Sequence, residues 1–133
     1  MTETVSKIIS DWKILASILE KNKNSGRDIV FSNGCFDIIH AGHVRYLTAA
    51  KDQGDILVIG LNSDVSVKNI KSEKRPIINQ EQRAEVLSGL GCVDYITFFN
   101  EPDPLKLIKT LKPNVLVKGA DWEEKDIIGA DFV

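Results

Sequence analysis

The stretch Ile56-Leu57-Val58-Ile59-Gly60-Leu61 carries no polar side chain, with Gly54-Asp55 ahead of it and Asn62-Ser63 behind it. It is far too short to span a bilayer. A run of this kind predicts a strand buried on both faces, the pattern of an interior strand in a parallel sheet. Such a sheet needs helical crossovers between its strands, and the rest of the chain must supply them.

It does so in alternation. Residues 5–21 place Val5, Ile8, Ile9, Trp12, Leu15, Ile18 and Leu19 on one helical face, and 22–26 is a polar breaker. A short strand follows at 29–31, ending at Asn33-Gly34, and then a helix at 41–53 with Gly54 closing it. After the apolar strand at 56–61, Ser63-Asp64 caps a short helix to about residue 70. Arg75-Pro76 breaks the chain, Asn79 caps a helix to residue 90, and 93–99, 104–111 and 115–117 read as strand, helix and strand. The fold class expected is α/β, a doubly wound parallel sheet of Rossmann-like form. No repeat, low-complexity tract or linker divides the chain, so a single domain is expected over residues 1–133. Residues 1–26 form its N-terminal helix and breaker, and 27–133 its α/β core.

Composition narrows the classes of function. Of 133 residues, 43% are hydrophobic and 27% charged, which fits a globular protein. The 17 basic and 19 acidic side chains leave a net charge of −2, so no global excess of positive charge invites nucleic acid. Neither a signal peptide nor a membrane anchor is read at Met1-Thr2-Glu3-Thr4, and Cys35 and Cys92 form no CxxC pair. A reducing, cytoplasmic setting is expected. Lys68, Lys71, Lys74 and Arg75 form a local basic cluster, which in the bland reading is a solvated loop.

In doubly wound sheets, ligands bind beyond the carboxyl ends of the strands. Three segments qualify: 33–43, 62–75 and 118–122. The first holds both histidines of the chain, in His40-Ala41-Gly42-His43. A spacing of three at a helix start puts both imidazoles on one face, and Gly42 leaves the backbone open to a ligand. The free amides and positive end of the helix favour an anion there. Donors converging in this way suit a triphosphate, whose transfer chemistry needs positioning and electrostatics more than a protein nucleophile. Ordinary capping by the histidines is the bland alternative. A metal site from Cys35, Asp37, His40 and His43 would need four ligands converging across a strand–helix junction. Neither GxGxxG nor GxxxxGK[ST] is present.

The stretch Asn33-Gly34-Cys35-Phe36-Asp37-Ile38-Ile39-His40-Ala41-Gly42-His43 resembles the signature G-x-F-D-x-x-H-x-G-H of cytidylyltransferase-like nucleotidyltransferases. Within them the fuller resemblance is to the D-glycero-β-D-manno-heptose 1-phosphate adenylyltransferases. It is carried by Asn62-Ser63-Asp64-Val65-Ser66-Val67, by Arg75-Pro76-Ile77 with Glu81-Gln82-Arg83, and by Val115-Leu116-Val117-Lys118-Gly119-Ala120-Asp121-Trp122. Similarity runs over residues 28–133.

The resemblance implies transfer of AMP from ATP to heptose 1-phosphate, giving ADP-heptose and pyrophosphate, with Mg²⁺ accompanying ATP. It implies catalytic roles for His40, His43 and Lys71, with Lys68 or Lys74 as stand-ins for the lysine. Nucleotide contacts would come from Asn33, Gly34, Cys35, Phe36, Asp37 (bracing the 34–36 turn), Gly42, Arg83, Gly119 and Asp121. Asp64, Arg75 and Lys118 would face the sugar phosphate. No side-chain metal site is assigned, and neither nucleic acid nor membrane is an expected partner. The bland alternatives are a turn-stabilising role for Asp37, a helix cap for Asp64, a surface pair of Arg83 with Glu81 or Glu85, and packing for Cys35 and Trp122. Two rival readings remain open at this point: a cytidylyltransferase acting on glycerol 3-phosphate or another polyol phosphate, and a non-catalytic nucleotide-binding module. Family members continue into a Ser-Thr-Thr segment that this sequence does not include. The sheet edge at 115–117 is therefore expected to be covered by the N-terminal helix or by a second copy of the chain.

Overall fold

A computed structural model describes residues 7–72 and 74–117. Its elements are α1 (Trp12–Asn24), β1 (Ile29–Gly34), α2 (Ala41–Lys51), β2 (Ile56–Asn62), α3 (Asp64–Ile70), α4 (Gln80–Ser88), β3 (Tyr95–Phe99), α5 (Leu105–Leu111) and β4 (Val115–Leu116). The four strands form one parallel sheet in the order β3-β2-β1-β4. β2 is buried along its whole length, as its unbroken apolar run requires.

Alternate residues of the strands feed two cores. Val30, Leu57, Ile59, Leu61 and Ile96 face Leu47 and Ala50 of α2 and Ala84 and Leu87 of α4. Ile29, Phe31, Val58 and Phe99 face Leu15 and Leu19 of α1 and Leu107, Ile108 and Leu111 of α5. Helices on both faces make the sheet doubly wound. Each fully buried leucine contributes about 1.5–3 kcal/mol of transfer free energy, so either face stripped of its helices would not hold. Gly60 is the point of closest approach on the second face. A Cβ there would stand 2.6 Å from the Phe31 ring and 2.9 Å from Leu107.

Two features of the N-terminal region differ from the sequence reading. The first helix begins at Trp12 rather than at Val5, because Asp11 caps it, accepting from the amides of Lys13 at 2.9 Å and Ile14 at 3.3 Å. Ile8 lies instead in a parallel bridge to Ile96, with Ile9 N–H donating to the Ile96 carbonyl and Ile96 N–H to that of Lys7, each at 2.8 Å. This segment therefore covers the β3 edge. The β4 edge, for which cover by the first helix was expected, is not where α1 packs. α1 lies against α5 on one face, pinned to the end of β3 by Trp12 Nε1–H donating to the Phe98 carbonyl at 2.8 Å. Among the described residues no helix is long and apolar enough to cross a membrane.

The chain runs outward from β1 through β2 to β3 and then returns to place β4 on the other side of β1. The topological switch point thus lies between β1 and β4, and the crevice beyond their carboxyl ends is where such sheets bind ligands.

Candidate active site

β1 ends at Gly34 in that crevice, and α2 begins at Ala41 beside it. The turn between them is tight. Phe36 has φ +48°, a left-handed backbone that an aromatic residue adopts only under constraint, and its ring folds back onto Gly34. A Cβ on Gly34 would lie 2.8 Å from that ring, so glycine is the residue that fits.

His40 is the N-cap of α2, and the two histidines cap reciprocally. His40 Nδ1 accepts from the Gly42 amide at 3.0 Å, and His43 Nδ1 accepts from the His40 amide at 3.1 Å. Their ring centroids are 4.1 Å apart, and Phe36 packs 5.4 Å from His43. An Nδ1 that accepts a backbone hydrogen bond cannot carry the proton. Each neutral ring is thereby assigned as the Nε2–H tautomer, leaving one imidazole N–H free to donate. Burial, and then the neighbouring His40, push the His43 pKa below its ordinary 6.5. His43 is therefore a neutral donor at pH 7. The role of Gly42 also becomes specific, since a Cβ there would stand 2.8 Å from His40 Cε1.

Around this pair two polar clamps set the walls. Asp37, whose side chain is 10% exposed, accepts from Arg75 Nη1 at 3.0 Å, from Ile77 N at 2.9 Å and from Ile78 N at 2.8 Å. Burial opposes its ionisation, but the two amides and the guanidinium outweigh burial and hold the carboxyl below the usual carboxylate range. Asp37 was expected to brace the 34–36 turn. It fastens the 75–78 segment to the turn instead, because three donors from that segment converge on it. The turn is held by the second clamp, Arg83. This side chain is fully buried; its Nη1 donates to the carbonyls of Cys35 at 2.6 Å and Asn62 at 2.8 Å, its Nε to that of Ile78 at 2.9 Å, and its Nη2 to Asp64 Oδ1 at 2.8 Å. Arg83 was expected among the nucleotide contacts, or in the bland reading in a surface pair with Glu81 or Glu85. It lies instead inside the protein, bonding the ends of β1 and β2 and the segment before α4 to one another.

The other residues singled out from the sequence fall as follows. Asn33, the last residue but one of β1, is half-buried, and the half-buried Cys35 presents its carbonyl to Arg83. Asp64 opens α3, but the cap is Ser63, whose Oγ accepts from the Ser66 amide at 3.3 Å. Lys71 is the C-cap of α3 and, like Lys68 and Lys74, is exposed. Arg75 is held in its ion pair with Asp37. Lys118, Gly119, Asp121 and Trp122 lie outside the described residues. Sequence reasoning missed Tyr46 on α2, whose hydroxyl bonds Ser32 of β1 and donates to the Val117 carbonyl at 3.2 Å, joining both strands of the switch point to the histidine helix. A tyrosine three residues after His43 was its only signal. Among the described residues no group of three or more His, Cys, Asp and Glu is arranged to hold a metal ion.

Residues 31–129 match the family described as cytidylyltransferase-like. The chain is 55% identical over 129 residues to a bifunctional protein HldE of Geobacter metallireducens, covering 93% of this chain and 26% of that protein. It is 52% identical over 132 residues to a bifunctional protein HldE of Helicobacter acinonychis, covering 99% of this chain and 28% of the relative. The chain thus spans about a quarter of the length of the curated relatives it matches. Among solved structures, a lipopolysaccharide core biosynthesis protein from Thermoplasma volcanium superposes with a TM-score of 0.68 at 33% identity, covering 76% of this chain and 83% of that one.

Proposed function

The chain belongs to the cytidylyltransferase-like family, and on that premise we propose that it transfers AMP from ATP to D-glycero-β-D-manno-heptose 1-phosphate. The observation that carries the reading is the reciprocal capping of His40 and His43 at the switch point, which leaves two Nε2–H donors at a helix N-terminus. A phosphate oxygen of the acceptor attacks the α-phosphorus of ATP; the bond to the β-phosphate oxygen breaks, and pyrophosphate leaves with the electron pair. Charge builds on the α-phosphate oxygens and on the leaving oxygen. Donors held in place by the caps stabilise that charge without reorganising, and each such donor contributes about 10²–10³ in rate. No protein nucleophile is needed.

The exposed lysines of the 68–74 segment are proposed to screen the departing phosphates, with Lys71 the preferred one. Mg²⁺ is proposed to accompany the ATP phosphates as part of the substrate. Lys118, Gly119 and Asp121 are proposed to complete the acceptor and nucleotide contacts beyond β4, in a reaction set in the cytoplasm. The acceptor assignment is supported by the Arg75-Pro76-Ile77 and Val117-Lys118-Gly119 blocks and by relatives whose names include a lipopolysaccharide core biosynthesis protein. The test is a pyrophosphate-release screen of the four nucleoside triphosphates against a panel of sugar and polyol phosphates. The reading expects ATP with heptose 1-phosphate to exceed every other pair by at least about tenfold. Preference for CTP with glycerol 3-phosphate would replace it with the rival assignment.

A further inference from the structure

A shallow cavity of about 260 Å³ is walled by Asp64 and Lys68 of α3, by Pro76, Ile77, Ile78 and Asn79, and by Gln82 of α4. We propose that this cavity is the subsite for the hydroxyl-bearing end of the acceptor sugar, remote from its phosphate, and that it selects the acceptor; this rests on the transfer reaction proposed above.

The lining defines the class of ligand by elimination. No aromatic ring is present to stack on a nucleobase. A phosphate would meet one lysine and be repelled by Asp64. A bare cation would find a single carboxylate whose Oδ1 is already held by Arg83. What remains is an uncharged ligand with many hydroxyls. Asp64 retains an acceptor oxygen, and Lys68 and Gln82 offer donors. Asn79 spends its Oδ1 on the Gln82 amide at 2.9 Å and keeps its NH₂ to donate. Pro76 and Ile77 give the apolar wall that the C–H face of a sugar covers. The volume, a little below the range of drug-sized ligand pockets, is of the size that a sugar fragment fills.

The cavity is also rigidly placed with respect to the reacting end. The Ile77 and Ile78 amides donate to Asp37, which precedes His40 by three residues. Arg83 bonds Asp64 on the cavity wall and the Cys35 carbonyl on the turn through one guanidinium. A sugar 1-phosphate carries its phosphate and its terminal hydroxyls at opposite ends, so a cavity bolted to the turn measures the length of the sugar.

The test uses the full chain and calorimetric titration of heptose 1-phosphate in the presence of a non-hydrolysable ATP analogue. Gln82 is exposed on α4 and lines the cavity, so Gln82→Trp is expected to fill the space and Gln82→Ala to remove one hydrogen-bonding group while leaving the helix intact. The proposal expects the Kd for heptose 1-phosphate to rise at least about tenfold in Gln82→Trp and several-fold in Gln82→Ala, with the Kd of the ATP analogue within about twofold of the parent. Hexose 1-phosphate, lacking the seventh carbon, should bind the parent less tightly than heptose 1-phosphate, and the gap should narrow in Gln82→Trp. Unchanged affinity for heptose 1-phosphate in both variants, or no binding of it to the parent, overturns the subsite. Binding that follows the predicted pattern without pyrophosphate release would leave the subsite standing and overturn the transfer reaction instead.

Discussion

Replacing Gly42 by alanine separates what the histidine arrangement does for the fold from what it does for the reaction. The new Cβ would sit 2.8 Å from His40 Cε1 and 3.0 Å from Nδ1, where ordinary contact begins at 3.4 Å. The imidazole must therefore withdraw by about 0.6 Å or more, since overlap at that distance is steeply repulsive. Withdrawal costs little stability, because the obstructing atoms belong to a side-chain ring that can turn about its χ angles rather than to backbone. Losing the cap bond from the Gly42 amide costs about 0.5–2 kcal/mol, and replacing glycine by alanine in a helix returns up to about 1 kcal/mol. The two nearly cancel, and the melting temperature should stay within about 5 °C of the parent. Catalysis is far less tolerant. The same movement carries the His40 Nε2–H away from the transferring phosphate and frees its tautomer, and a misplacement of about 1 Å costs on the order of a hundredfold. We expect kcat to fall between about tenfold and a hundredfold at saturating ATP and sugar phosphate, read by pyrophosphate release beside a thermal melt. A kcat within about threefold of the parent would refute the claim that the capped geometry is the catalytic geometry.

The His43 imidazole should titrate below 6.5 in an NMR pH series, and His40→Gln should raise its midpoint only partly, since burial is the larger cause and survives the substitution. Its folded pKa lies below the unfolded one, so its contribution to stability is whole above about pH 6.5 and fades as pH falls through the folded value. Asp37→Asn leaves one acceptor oxygen for three donors and should cost about 1–3 kcal/mol in urea denaturation at pH 7. Because Asp37 ionises below the ordinary 3.8, the parent's advantage over that variant should be constant above about pH 5 and vanish as pH falls through the folded pKa. Arg83→Ala removes the guanidinium from three carbonyls and the Asp64 carboxylate and should cost at least about 3 kcal/mol, and Arg83→Lys should recover less than half of it, because an ammonium cannot reproduce a fork that reaches four acceptors.

The fold was legible where patterns are local. The apolar run of β2, the Asn79 cap and the strand–turn–helix around His40-Ala41-Gly42-His43 all stand where the residues place them. Partners distant in sequence were not legible. Ile8 and Ile9 fit the helical face of α1 by spacing, yet they pair with β3, because Asp11 starts the helix after them and an open strand edge waits about ninety residues on. Arg83 has the charge of a surface residue and is buried only because carbonyls from three separate segments meet at its guanidinium. Asp37 is similar: its donors lie some forty residues away, and no local rule for turn aspartates reaches them.

The central claim is that the α-phosphate of ATP ends on the sugar phosphate. Incubating the chain with ATP labelled with ³²P at the α-position and with heptose 1-phosphate tests it directly. The account predicts label in ADP-heptose, in amounts equal to the pyrophosphate released and abolished by replacing His40 and His43 together. Label recovered only as ATP, AMP or ADP, with no labelled nucleotide sugar, would contradict it.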